Sequence, residues 1–198
     1  MKKLQYLFYG AMATLLMAAD CSNKDNEFYN DVFINAPNVV DVEDFPVHFT
    51  GEPITVNANF SKIIGEAGQN TDLDLFRTTG GAKSFTFSFL IEKKTTGDEW
   101  ETVNIADNDV VEFGGNSVSF GDFLLAQAEF DEATQSYKYR GGIRLNTAGE
   151  YRLRFTYNNA VSSNIVLVSD SFAGNLFVTI NTTCSDIDST GYYYFTAE

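Results

Sequence analysis

His48 is the only histidine in the chain, and Cys21 and Cys184 are its only cysteines. One imidazole and two distant thiols do not make a zinc-ligand set. No G-x-S-x-G turn accompanies His48 to make a nucleophilic triad. Its flank, Val47-His48-Phe49-Thr50, alternates apolar and polar residues, so His48 reads as part of an edge strand. Acids are plentiful, at 27 Asp and Glu, but hydrolysis of a glycosidic bond needs two carboxylates at a set separation across a cleft. The sequence supplies acids without placing them, so the chain reads as a non-enzyme without a cofactor or a bound metal. The chemistry left is that of binding. Trp100, Tyr157, Tyr192 and Tyr194 offer flat rings that stack on sugars and are the candidate ligand-binding residues. Because a strand turns alternate side chains to opposite faces, one set of rings within Tyr192-Tyr193-Tyr194-Phe195 packs inward. Lys138, Arg140, Arg144, Arg152 and Arg154 would form an anion-attracting patch if residues 137–157 were a simple hairpin. If those strands belong to different sheets, the patch splits and its members are solvated singly.

The elements that must carry these residues are strands. Phe and Tyr number 18 and 10, Gly 15 and Pro only 3, a composition that favours strands and turns. Period-two alternation dominates from Pro46 onward. Ile54, Val56, Ala58 and Phe60 alternate with polar residues. Phe85, Phe87, Phe89 and Ile91 take one face against Ser84, Thr86 and Ser88, with Leu90 breaking the polar face. The turn Thr95-Thr96-Gly97-Asp98 makes 85–94 and 99–105 a hairpin. Short strands fit at 109–113 and 116–120. Within residues 122–130, 124–130 read as a strand, with a short helix capped by Asp122 as the other reading. The polar run 131–135 then turns the chain into a strand over 136–145. Strands at 151–157, 164–168, 175–182 and 191–197 follow, while 61–82 reads as a long loop or an irregular insertion. Regular short strands with turn signals argue an antiparallel β-sandwich.

Three stretches resemble known families. Leu145-Asn-Thr-Ala-Gly149-Glu-Tyr151-Arg-Leu153-Arg-Phe155 resembles the E–F corner of immunoglobulin-like domains. There a tyrosine, here Tyr151, folds back onto the corner's backbone. The resemblance implies an all-β fold, an elaborated immunoglobulin-like sandwich, and is silent on function. Asp186-Ile-Asp188-Ser-Thr-Gly191 resembles the first half of an EF-type calcium loop, but its twelfth position is Ala197 and not an acid, so it reads as a polar turn. At the N-terminus, Met1-Lys2-Lys3 precedes an apolar run from Leu4 to Ala19, too short and interrupted for a membrane span. Ala18-Ala19-Asp20-Cys21 resembles the lipobox of bacterial lipoproteins, with Asp20 where that family carries Gly, Ala or Ser. Ser22, Asp25 and Glu27 resemble the export signal of Bacteroidota surface lipoproteins, from which Lys24 departs.

The resemblance implies a leader over 1–20, lipidation of Cys21, a flexible tether over 21–45 and a β-sandwich ectodomain over 46–198. The protein is then held to the outer membrane of the cell envelope, exposed at the surface. Cys184 would be left without a partner and reads as a buried, inert thiol. The chain's formal charge is −14, and removing 1–20 takes away Lys2, Lys3 and Asp20 to leave −15. That charge excludes nucleic acid as a partner on electrostatic grounds. The expected function is a non-catalytic surface binding or accessory module with a glycan or an envelope protein as partner. The alternative is a structural or adhesive envelope subunit that docks by strand addition. A hydrolase ranks last.

Overall fold

The fold is described from a computed structural model covering residues 31–43, 45, 47–66, 68–157, 160–161, 164–170 and 176–198. Cys21 and the leader lie outside the described residues. The strands are β1 (Asp31–Asn35), β2 (Val40–Val42), β3 (Pro53–Ser61), β4 (Ile63–Ile64), β5 (Leu73–Asp74), β6 (Ser84–Lys94), β7 (Trp100–Thr102) and β8 (Val110–Gly114). They continue as β9 (Asn116–Ser119), β10 (Leu124–Asp131), β11 (Ser136–Arg144), β12 (Gly149–Tyr157), β13 (Ala160–Val161), β14 (Asn164–Ser169), β15 (Phe177–Thr183) and β16 (Tyr193–Ala197). One short α-helix, Leu75–Thr78, interrupts them, capped by Asp74, whose Oδ1 accepts the Arg77 amide at 2.9 Å.

The protein is all-β, a curled sheet of many strands ordered β1-β15-β14-β6-β10-β11-β3-β2. The curl is organised by β6, the longest strand at 11 residues. Phe89 pairs with Leu124 of β10 and with Phe155 of β12, so those two neighbours lie on opposite edges of β6. Toward its end β6 exchanges β10 for β7, in the hairpin that the turn at 95–98 predicts. β11 behaves alike: β10 accompanies it only near their turn, and β8 then takes that place. Gly115 makes the step from β8 to β9 with φ +75°, and a Cβ there would stand 2.5 Å from the Gln127 carbonyl oxygen.

Alternation buries one face of each strand. Phe85, Phe87, Phe89 and Ile91 are all at most 3% exposed, and Leu90, the break in the polar face, is buried too. Phe60, Phe85 and Tyr137 meet with ring centroids 4.8–5.5 Å apart. The buried hydroxyls are satisfied: Tyr137 Oη donates to Ala82 O at 3.0 Å, and Tyr139 Oη lies 3.0 Å from Ser117 Oγ. The strand reading of 124–130 holds as β10, with no helix at Asp122. Among its described residues, the stretch 61–82 holds the last residue of β3, then β4, β5 and the short helix.

The reading of 21–45 as one flexible tether is corrected in its second half. β1 lies beside β15 and β2 pairs with β3, with Ile34, Val40 and Val42 buried. These strands are fastened by groups far along the chain. The Val39 amide donates to Thr182 Oγ1 and the Val42 amide to Asp186 Oδ2. Residues 21–30 lie outside the described residues.

Tyr151 Oη donates to Thr147 O at 2.6 Å. β11 and β12 do not form a hairpin: β11 pairs with β3, and β12 with β6 and β16.

Candidate ligand-binding face

β7, β6, β12 and β16 run side by side, and period two assigns their side chains to two faces. Ile91, Tyr151, Leu153, Tyr193 and Phe195 point into the core. Their neighbours point out, in register: Lys94 lies opposite Trp100, Glu92 opposite Arg152, and Arg152 opposite Tyr194. Tyr192, one residue before β16, joins the same group. Three of the four candidate aromatic residues are therefore brought together from positions 100, 192 and 194.

At the centre is Arg152. Its guanidinium carbon lies 4.5 Å from the Trp100 ring centroid and 4.0 Å from that of Tyr192. Its Nε donates to Glu92 Oε2, and Arg154 Nε stands 3.5 Å from Glu92 Oε1. Burial by itself lowers the Arg152 pKa, but the hydrogen bonds of Glu92 and Tyr194 and the Glu92 charge hold it above the ordinary arginine value. Around this centre Trp100 meets Tyr194 edge-on, at 5.7 Å and 66°, and Tyr192 meets Tyr194 at 5.9 Å and 45°. Tyr194 is 50% exposed, while Trp100 and Tyr192 are half-buried. The arrangement offers ring surface beside charged hydrogen-bonding groups. It suits a ligand with apolar faces and polar edges.

Tyr157 is exposed but not part of this group. It ends β12 opposite Ala160, five residues and so roughly 17 Å from Arg152. The basic patch splits, because β11 and β12 pair with different neighbours in the curled sheet. Lys138 pairs with Asp131, Arg140 with Glu43, Arg152 and Arg154 share Glu92, and Arg144 donates to Gly51 O.

The remaining chemical residues have local partners. His48 is buried, forms a parallel bridge with Ala197 and packs on Phe195 at 5.0 Å. Asp188 Oδ1 accepts the amides of Thr190 and Tyr192 and the Thr190 hydroxyl, which makes its loop a self-capped turn. Asp186 Oδ2 accepts from Val42 N and from the Cys184 thiol. Cys184 is buried and unbridged, and burial pushes its pKa up to about 11.

One concavity was not legible in the sequence. Phe45, Val47, Phe49 and Phe113 line a groove of about 620 Å³ with Glu43 and Arg140 at its side. The Arg140 guanidinium covers the Phe113 ring at 4.4 Å. Four of these six residues come from a stretch read as tether and edge strand. Phe45, Phe49 and Phe113 are exposed, the first two outside the regular strands and Phe113 on β8.

No family model matches the chain, and no curated protein matches it. Among solved structures, the human F-spondin reeler domain is similar over 90% of this chain and 100% of that one, at 10% sequence identity and a TM-score of 0.28. A superposition that loose carries no argument about fold or function.

Proposed function

We propose that this protein is a lipid-anchored cell-envelope protein of the Bacteroidota type whose ectodomain binds saccharide without catalysing a reaction. The observation that carries the binding reading is the convergence of Trp100, Tyr192 and Tyr194 with Arg152 and Glu92 on one outward sheet face. Sugars present C–H faces to rings and hydroxyls to charged groups, and this face holds both. The lipobox-like Ala18-Ala19-Asp20-Cys21 supports the anchor. The Tyr151–Thr147 hydrogen bond and the separation of β11 from β12 support an elaborated immunoglobulin-like sandwich as the finer description of the fold.

A titration of the protein against a panel of soluble oligosaccharides tests the binding reading. At least one should bind, and Trp100→Ala and Tyr194→Ala should each weaken it by roughly tenfold, the loss of a well-packed ring contact. Absence of binding across the panel, or binding untouched by both substitutions, overturns it.

A further inference from the structure

We propose that the saccharide taken by this face is anionic, bearing a carboxylate or a sulfate ester. This rests on the saccharide reading of the same face and adds the charge of its ligand. Two guanidinium groups, Arg152 and Arg154, converge on one carboxylate, Glu92. The centre of the face therefore carries one positive charge in excess. Lys94, two residues along β6 from Glu92, is answered twice, by Asp98 at 2.8 Å and Glu150 at 3.0 Å. In a chain of net charge −14, two guanidinium groups sharing one carboxylate beside aromatic rings form a local cationic centre.

The excess charge is usable. The side chains of Arg152 and Arg154 keep 16% and 18% of their exposure, against 10% for Glu92. A guanidinium has five N–H donors, and Glu92 accepts from only part of the two sets. The planar fork of each matches a carboxylate or a sulfate oxygen pair. Trp100 and Tyr192 hold the Arg152 guanidinium between them, so the fork is oriented before a ligand arrives. An anion landing there adds to the Glu92 pairing and does not have to replace it.

The test compares three soluble probes of matched length on the full protein: an oligogalacturonate, a sulfated galactan oligosaccharide and a neutral galactan oligosaccharide. At least one anionic probe should bind roughly tenfold more tightly than the neutral one, the scale of one charge-assisted hydrogen bond. That preference should shrink as added salt shortens the screening length. Arg154→Gln should reduce it to the neutral level, Arg154→Lys should restore part of it, and Lys83→Gln, beside the other end of β6, should leave it intact. Thermal unfolding of each variant identifies any that lose the fold. If Arg154→Gln does, the Arg154→Lys comparison and the salt dependence decide. Preference for one anion over the other names the group recognised. Neutral binding as tight as anionic overturns this inference and leaves the saccharide reading standing. No binding of any probe overturns both.

Discussion

The Arg152 guanidinium is held by Glu92 and by the rings of Trp100 and Tyr192, and each partner depends on it in turn. Glu92 is 7% exposed, so an arginine removed from its side leaves a buried carboxylate with only Arg154 at 3.5 Å. Arg152→Ala should therefore destabilise the fold by roughly 3 kcal/mol in urea unfolding. A change below about 0.5 kcal/mol would mean that the pair is solvated in practice. Tyr151 tests the corner at the same scale. Tyr151→Phe keeps the ring in the core and removes one hydroxyl that donates to Thr147 O, so about 1 kcal/mol should be lost. The buried Cys184 thiol should be unreactive in the fold. Burial disfavours the thiolate and places its pKa at about 11, so near pH 8 the folded protein should resist a thiol reagent and the unfolded chain should react.

Elements differ in how much of them is local. The β6–β7 and β10–β11 hairpins are legible because alternation and polar turns are both written within a dozen residues. Asp131 shows the turn chemistry of the second. Its carboxylate accepts from Ala133 N, Thr134 N, Thr134 Oγ1 and Lys138 Nζ. The Lys138 hydrogen bond first, and those of Thr134 and Ala133 after it, hold the Asp131 pKa well below its ordinary 3.8. A depressed carboxylate stabilises the fold above its unfolded pKa, and that stabilisation is lost as the pH falls toward the folded one. Asp131→Asn should lower the unfolding midpoint near neutral pH, and the gap to wild type should close as the pH drops well below 3.8. Gly142 belongs to long-range packing. In β11 it lies opposite Thr55 and Val111, and an added Cβ would run into the Ile54 carbonyl. Gly142→Ala should cost about 2 kcal/mol or more, measured by thermal unfolding. The strands β1 and β2 were illegible for a related reason. Both are short, β1 lies beside the distant β15, and the Val39 and Val42 amides donate to Thr182 and Asp186, more than 140 positions away.

At the scale of the whole molecule, the first strands bear on where the fold starts. Removing residues 1–43 takes Ile34, Val39, Val40 and Val42 from the core. At roughly 1.5–3 kcal/mol each, that approaches or exceeds the total stability of an ordinary domain, about 5–15 kcal/mol, so the shortened chain should fail to fold cooperatively by circular dichroism. A chain that still unfolds sharply would restore the tether reading. The anchor is tested separately: fatty-acid label should enter the expressed protein and be lost in Cys21→Ala, while equal labelling removes the basis for membrane attachment. By itself the sequence determined the all-β class, the faces of the long strands, the buried unbridged Cys184 and the residue types available for binding. These follow from alternation, turn chemistry and counts, which need only near neighbours. The tertiary structure decided which strands share an edge. The partition of β6 between β10 and β12 separates the basic residues, and the pairing of β12 with β16 carries Tyr194 to Arg152. Register between strands forty or more residues apart is set by the packing of the whole core. No local pattern specifies it.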